Sequence, residues 1–275
     1  MSAVIAGSKT AGSQWLTAAM GMLFQRLVYP LLGLALLLVC WWFGGYLIGN
    51  NPSTQAFAGF APQYALPRAW ELVTSGNLAA DAIPSLQRIG QGLLFAAMAG
   101  IPVGVLIGWM PTVQRITNFP FQLLRMVSPL AWMPIAVLAF NTWDGSIIFL
   151  IFMAAVWPIL FSTAFAVQRI DPMYFKVANN FGASVWARLR RLVLPAIAPD
   201  ILAGFRLALG IAWVVLVPAE FLGVSSGLGY AINDARDILA YDLLAALVLV
   251  IGVIGYVLDS AVVALMRYVG WQGEG

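Results

Sequence analysis

The feature that most restricts the fold is a series of long apolar stretches without charge. Leu27–Ile48 contains no charged residue, and Ile89–Met110 is another stretch of this kind. About 20 predominantly apolar residues are enough to cross the roughly 30 Å hydrocarbon core of a bilayer. Because only 9% of the 275 residues are charged and the mean hydropathy is +0.90, lipid must be the solvent for most of the chain. The sequence predicts an all-α integral membrane protein.

Apolar stretches of sufficient length predict six transmembrane helices. The predicted spans are residues 27–48, 89–110, 119–140, 147–167, 201–222 and 243–266. The remaining parts are an N-terminal tail (1–26), an external segment too rich in proline for a span (49–85), and a C-terminal tail (268–275). Pro129 and Pro134 interrupt the third span. Such a break frees backbone groups, which a membrane tolerates only against protein or water, so this span is predicted to line a cavity.

Small and charged residues inside the spans have structural interpretations. Gly100, Gly104 and Gly108 recur every fourth residue, which predicts close packing against a neighbouring helix. Arg125 and Arg206 are expected near the ends of their spans, where long side chains reach the interface. Asp259 is predicted to form an ion pair with one of these two arginines.

Basic residues set the predicted orientation. With a cytoplasmic N-terminus, Arg68 and Arg236 fall outside, and the following residues fall inside: Lys9, Arg26, Arg115, Arg169, Lys176, Arg188, Arg190, Arg191 and Arg267. Because loops rich in Lys and Arg stay in the cytoplasm, we expect both termini there and a multi-pass protein of a bacterial inner membrane. The stretch between the fourth and fifth spans then also lies in the cytoplasm.

That stretch, Met173–Leu209, begins as a basic and amphipathic segment. Its apolar residues recur at steps of three or four, which predicts one apolar helix face, and Gly182 divides the helix into two short ones. These apolar residues are Val177, Phe181, Val185, Leu189 and Leu192. Three interpretations are open: an interfacial helix on anionic lipid, a solvated loop, or a docking element for a soluble partner. Physical grounds alone favour lipid contact.

The same stretch resembles the cytoplasmic signature of permease subunits of binding-protein-dependent ABC importers, in which Glu-Ala-Ala is followed by Gly and an Ile-x-Leu-Pro-like ending. The matching residues are Ala178, Gly182, Ala183, Ser184, Leu192, Leu194 and Pro195, while Lys176 and Val177 replace Glu-Ala. The resemblance implies a type I ABC importer permease fold for residues 86–267. It also implies that the coupling loop, residues 172–195 including Lys176, seats a helix in a cleft of a separate ATPase subunit.

Further motifs resemble the nitrate/sulfonate/taurine/bicarbonate group of these permeases. They are Ser128–Pro134, Val156–Pro158, Pro218–Gly223 and Gly227–Tyr230, and the similarity covers roughly residues 85 to 265. The resemblance implies import of a small oxyanion from periplasm to cytoplasm by alternating access, with nitrate or nitrite favoured, then sulfonate or taurine, or bicarbonate. The residues selected as candidates for the substrate path are Ser128, Trp132, Trp213 and Glu220.

The resemblance also implies the partners. These are two ABC ATPase subunits that bind ATP and Mg, a second permease copy in a homodimer, a periplasmic or lipid-anchored substrate-binding protein, and membrane lipid. A net charge of +3 gives no indication of nucleic acid binding. The chain has no G-x-x-x-x-G-K-[ST] motif and no histidine, so we expect no catalytic site, metal site or cofactor in it.

Two other functions remain open. An ion-coupled secondary transporter, acting without an ATPase, would use intramembrane acids such as Glu220 and Asp259. A structural membrane scaffold would transport nothing.

Overall fold

The structure, a computed structural model, describes the backbone of residues 6–268 and the side chains of Phe24 and residues 28–268. Within this part of the chain every regular element is a helix, which confirms the all-α prediction. The α-helices are α1 (Ala6–Asn50), α2 (Pro62–Thr74), α3 (Asn77–Trp109), α4 (Pro111–Met126), α5 (Met133–Ala139), α6 (Trp143–Arg169), α7 (Pro172–Asn180), α8 (Val185–Arg188), α9 (Leu194–Glu220), α10 (Leu228–Asp237) and α11 (Tyr241–Tyr268). Gln55–Phe60 and Pro129–Trp132 form 3-10 turns, and Leu189–Val193 forms a π-helical turn.

In the described residues, five helical stretches are long and apolar enough to cross a membrane. They are Val28–Asn50, Asn77–Trp109, Trp143–Arg169, Val185–Glu220 and Tyr241–Tyr268. A sixth crossing results if α4 and Pro129–Ala139, which are bent by 91° relative to each other, count as one broken span. The number agrees with the six predicted spans, and the broken pair is the third of them.

The break in the third span lies at Pro129. Ser128 before it has an extended backbone (ψ 131°), as expected for a residue whose helical conformation clashes with the following proline ring. Pro134, in contrast, lies in the first turn of α5, where its missing N–H has no intrahelical acceptor to lose. The predicted interruption is therefore confirmed at Pro129, while Pro134 begins a new helix.

Several helices extend beyond the predicted spans. The second predicted span, 89–110, belongs to α3, which begins at Asn77, and the fifth, 201–222, belongs to α9, which begins at Leu194. Each of these predicted spans begins directly after a charged residue, Arg88 or Asp200. The helix itself begins earlier, because backbone hydrogen bonding continues past a charge.

The predicted tails differ in a similar way. Residues 6–26 continue α1, because a helix does not have to end where the apolar stretch ends. The other tail residues, 1–5 and 269–275, lie outside the described part.

One compact unit contains residues 1–68 and 240–245. In it the 3-10 turn is fixed against α1, because Trp41 Nε1 donates a hydrogen bond of 2.8 Å to the Phe60 carbonyl. Gly45 allows this approach, since a Cβ there would lie 2.6 Å from Ala61 Cβ. The ring of Tyr241 packs against Phe57 and Phe60 at centroid distances of 5.0 and 5.1 Å.

The other unit, residues 69–239 and 246–275, is built around α3, α6 and α9. The glycines of α3 face α6: a Cβ on Gly104 would lie 2.6 Å from the Leu160 carbonyl oxygen, and one on Gly108 would lie 2.6 Å from Val167 Cβ. A Cβ on Gly100 would come within 3.1 Å of the Val156 oxygen. The predicted packing role of this glycine stripe is confirmed.

The course of α6 and α9 defines two ends of this unit. Arg169 of α6 forms an ion pair with Asp200 near the start of α9, and a Cβ on Gly223, just after α9, would lie 2.5 Å from the Trp143 ring at the start of α6. The two helices are therefore antiparallel. We refer to the two ends of the unit, where these two contacts lie, as the Arg169 end and the Trp143 end.

Candidate functional site

The predicted coupling loop, residues 172–195, lies at the Arg169 end and begins with a well-capped helix. The side chain of Asp171 accepts a 2.8 Å hydrogen bond from the Met173 N–H, and Pro172 occupies the first turn of α7. An N-cap carboxylate and a proline in the first turn are favourable because they satisfy or remove donors that have no partner within the helix.

Gly182 ends α7. Its φ is +68°, a left-handed conformation that is costly for residues with a Cβ. The Gly182 N–H donates to the Asn179 carbonyl at 2.9 Å, and the Ala183 N–H donates to the Ala178 carbonyl at 3.0 Å, which is the Schellman pattern of helix termination. Ser184 then caps α8, its Oγ accepting from the Ala187 N–H at 3.2 Å. The prediction that Gly182 separates two short helices is confirmed.

The two ends of this segment differ in exposure. Lys176, Gly182, Ser184 and Pro195 are exposed, whereas Ala178, Ala183, Leu192 and Leu194 are half-buried. Leu194 and the partly buried Phe175 pack against a small core that includes Val193 and Ile197. The segment is therefore anchored by its C-terminal part and by Phe175, whereas most other side chains of α7 are exposed.

Large apolar side chains are exposed along α7 and at the start of α8. Phe181 is 85% exposed and Trp186 67%, and Met173, Tyr174 and Val185 are also exposed. Arg188, whose guanidinium lies 6.0 Å from the Trp109 ring centroid, donates to Asn179 Oδ1 at 2.7 Å. Such a concentration of apolar surface beside basic groups is typical of a surface covered by a partner or by lipid.

The predicted substrate-path residues lie in different surroundings. Ser128 is exposed in the break between α4 and α5. Trp132 and Trp213 are half-buried and pack against the hydrophobic core of α3, α6 and α9. Glu220 is completely buried. Their roles in transport stay predictions.

Glu220 belongs to a buried ionic network at the Trp143 end, which we call the Arg88 cluster: Ser85, Arg88, Asp144, Glu220, Ser226 and Gly227–Gly229. Arg88 Nη1 lies 2.6 Å from Glu220 Oε1, and its Nε lies 2.7 Å from Asp144 Oδ1. Ser85 Oγ donates to Glu220 at 2.8 Å. One guanidinium therefore links α3, α6 and α9.

The same network holds the loop after α9. The Gly229 N–H donates to Glu220 Oε2, the Leu228 N–H donates to Ser85 Oγ, and Arg88 donates to the Ser226 carbonyl, each at 2.8 Å. Gly227 has a φ of +121°, and a Cβ there would lie 2.6 Å from both Arg88 Nη1 and Glu220 Oε1. Only glycine fits this position without displacing the ion pair.

Sequence reasoning did not identify Arg88. This residue lies just before the uncharged stretch, 89–110, that predicts the second span. A signal was nevertheless present, because an acid at the end of an apolar helix, Glu220, requires a nearby cation or hydrogen-bond donors when buried.

The second intramembrane acid is also paired. Arg206 Nε and Nη2 lie 2.7 and 2.8 Å from Asp259 Oδ1 and Oδ2, a bidentate geometry that favours strong association. The predicted ion pair is confirmed, with Arg206 as the partner.

Arg125 lies in the last turn of α4, next to the break in the third span, and is exposed. Its guanidinium lies 5.2 Å from the ring centroid of Phe161, which is about 12 Å along α6 from Arg169. The interfacial position of Arg125 stays a prediction.

The spans, the broken third span and the exposed segment between α6 and α9 are together the features of a polytopic membrane protein. Residues 100–270 match the model of the family described as "Binding-protein-dependent transport system inner membrane component". The chain belongs to this family and is an ABC importer permease.

Three relatives whose names state a substrate support the predicted nitrate/sulfonate/taurine/bicarbonate group. The chain is 40% identical over 192 residues to the bicarbonate transport system permease protein CmpB of Synechococcus elongatus, covering 69% of this chain and 68% of that protein. It is 31% identical over 264 residues to the nitrate import permease protein NrtB of Leptolyngbya laminosa, covering 93% and 92%. It is 37% identical over 191 residues to the taurine transport system permease protein TauC of Escherichia coli, covering 69% and 70%. The predicted group is confirmed.

A solved structure supports the fold. The chain matches one from the inward-facing MetNI methionine ABC transporter with a TM-score of 0.56 and 16% identity, covering 74% of this chain and 98% of that one. The predicted type I permease fold is confirmed. The relatives are transport permease proteins, which is consistent with a non-catalytic role.

Proposed function

We propose that this chain is the membrane subunit of an ATP-driven importer for a small oxyanion. Its relatives carry the names of bicarbonate, nitrate and taurine systems, and each of these compounds contains an anionic oxygen group. Nitrate, with nitrite, is the first candidate because the similarity to NrtB extends over 93% of the chain. Sulfonates including taurine, and bicarbonate, follow.

The Arg169 end is proposed to face the cytoplasm, with both termini on that side. Basic residues support this orientation: Arg169, Lys176, Arg188, Arg190 and Arg191 lie within or beside the 172–195 segment. Cytoplasmic loops carry such an excess of positive charge. A substrate-binding protein then docks at the Trp143 end, on the periplasmic side.

The observation that carries the proposal is the construction of α7. Its N-terminus is capped by Asp171 and its C-terminus is fixed by Gly182, so the helix is well defined although most of its side chains are exposed. A preorganised helix with exposed apolar side chains fits the groove of a partner protein. We propose that this groove belongs to the ATPase subunit.

The working transporter then contains two permease copies and two ATPase subunits, and the ATPase subunits bind ATP and Mg. Closure of the ATPase pair moves α7 and shifts the spans between outward-open and inward-open arrangements. The permease itself requires no cofactor.

Two substitutions at Gly182 test the docking role. No atom lies within 4 Å of a Cβ at this position, so Gly182→Ala adds only the cost of a left-handed conformation, about 1–2 kcal/mol. Gly182→Trp adds the same strain and also places a large side chain on the surface that the ATPase contacts. In proteoliposomes with the ATPase subunits and the binding protein, we expect Gly182→Trp to lower uptake at least about tenfold relative to Gly182→Ala.

Equal uptake by the two variants would contradict docking at α7. Uptake by the purified chain without any ATPase would favour the secondary transporter instead. The structure argues against that alternative, since both candidate acids, Glu220 and Asp259, already form ion pairs with arginines.

A further inference from the structure

A cavity of about 410 Å³ lies between the end of α4, α6 and α9. Leu207 and Ile211 from the middle of α9 line it, as do Trp157 and Pro158 from the middle of α6. The cavity is therefore close to the centre of the membrane. Its other walls include the residues on either side of the break in the third span, Val127 and Pro129.

Arg125 is the charged residue of this cavity, and most of the other lining is apolar. Among the described residues, no carboxylate forms an ion pair with Arg125, and its guanidinium contacts the Phe161 ring. Arg88 and Arg206, which also lie inside helical spans, are both paired with carboxylates. Arg125 is exposed to this open cavity, and an arginine without a counter-ion inside a membrane is costly, so an anion that enters the cavity is attracted to Arg125.

A hydroxyl group also faces this region. Ser162 lines the cavity, and Gly204 of α9 makes room for its side chain, since a Cβ on Gly204 would lie 2.8 Å from Ser162 Oγ. This hydroxyl forms no hydrogen bond with a described residue. It is available as a second donor.

A second cavity connects this region with the Arg169 end. It measures about 470 Å³, shares Ser162 and Phe165 with the first, and continues along Gln168, Arg169 and Asp200. Towards the Trp143 end the first cavity is bounded by apolar residues such as Met153 and Ala154. A track with polar side chains thus leads from the cavity of Arg125 to the Arg169 end.

We propose that Arg125 binds the transported oxyanion at membrane depth, with Ser162 as a second donor, in the half of the path that opens to the cytoplasm. This inference rests on the proposed function. The planar guanidinium offers two parallel N–H donors to an oxyanion. One arginine and one hydroxyl form a weak site, which suits a path because a transported ion must also leave.

The test uses the complete transporter, reconstituted in liposomes with its ATPase subunits and binding protein. Uptake of isotope-labelled nitrate, bicarbonate and taurine is measured together with ATP hydrolysis. We expect Arg125→Gln to lower uptake per ATP hydrolysed at least about tenfold, with ATPase stimulation by the binding protein retained within about twofold. Arg125→Lys keeps the charge but loses the two parallel N–H donors of the guanidinium. Its uptake per ATP is expected to fall between those of Arg125→Gln and the wild type.

Arg115 provides the matched control, since it is an exposed arginine on the same helix α4 and does not line the cavity. Arg115→Gln leaves uptake per ATP unchanged. Ser162→Ala lowers it by about two- to fivefold.

The outcomes separate the two proposals. Wild-type uptake per ATP in Arg125→Gln overturns the role of Arg125 while the importer function stands. If Arg125→Gln does not assemble, Arg125→Lys decides: reduced uptake per ATP supports the site, and unchanged uptake per ATP overturns it. Failure of the wild-type transporter to import any of the three anions overturns both proposals.

Discussion

The Arg88 cluster and the 172–195 segment lie at opposite ends of α6 and α9. They differ in how far their side chains are covered by the chain itself. In the cluster, Glu220 and Arg88 are buried, and both carboxylate oxygens of Glu220 accept hydrogen bonds from within the chain. In the segment, Phe181 and Trp186 expose most of their surface. The first region is complete within one chain, whereas the second has surface that a partner can cover.

If the proposed function is correct, this contrast predicts how a movement of α7 would reach the spans. The Arg88 cluster ties α3, α6 and α9 together at the Trp143 end, so these helices are restrained there. At the Arg169 end, α7 is joined to them by short turns and by the small core around Val193. A partner that moves α7 therefore acts on one end of helices that are fixed at the other.

Removing the charge of Glu220 is expected to have the largest effect on stability. Glu220→Gln leaves Arg88 buried with only the exposed Asp144 as counter-ion, and breaking a buried ion pair costs about 3–5 kcal/mol. The thermal unfolding midpoint of the purified permease in detergent measures this loss. Asp237→Asn is the control, since it removes the exposed pair with Arg236, which is worth about 0–1 kcal/mol. Similar midpoints for both variants would show that the cluster does not hold the helices.

A smaller effect is expected in the glycine stripe that joins α3 to α6. Gly104→Ala places a Cβ 2.6 Å from the Leu160 carbonyl oxygen, and such overpacking costs about 1–3 kcal/mol. Gly90→Ala on the same helix meets no atom within 4 Å and is expected to be neutral or stabilising by up to about 1 kcal/mol. The same unfolding measurement compares them. A Gly90→Ala variant as unstable as Gly104→Ala would contradict the packing explanation.

The smallest effect on stability is expected in the 172–195 segment. Phe181 is exposed, so Phe181→Ala should change the unfolding free energy by less than about 0.5 kcal/mol. If an ATPase subunit covers this side chain, the same substitution weakens ATPase binding by about 2 kcal/mol or more. A pull-down titration with the ATPase subunit measures that affinity. Loss of stability without loss of affinity would reverse the interpretation of this region.

Part of this architecture follows directly from the sequence. Uncharged apolar stretches predicted the spans, because burial in lipid depends mainly on composition and length. The spacing of the Gly100 series predicted helix packing, and Gly182 predicted the division of the amphipathic segment. Each of these signals is local in the sequence.

The remainder depends on contacts between distant residues. Arg88 and Glu220 meet only because α3 and α9 pack side by side, and no local pattern connects them. The sharp turn of the third span was not predicted for a related reason: the prolines predict a break but not the angle between the two helices, which is 91°. The helix starts at Asn77 and Leu194 were not predicted, because hydropathy indicates which residues lie in lipid and not where the helix begins.

Hydrogen exchange of the permease with and without its ATPase subunits tests the central claim most directly, because it monitors both regions in one sample. Exposed short helices open locally more easily than packed ones, so the amides of α7 and α8 should exchange readily in the free permease. We expect ATPase binding to slow exchange in residues 172–188 and to leave the amides of Gly227–Gly229 unchanged. Unchanged exchange in residues 172–188 on formation of the complex would contradict the account.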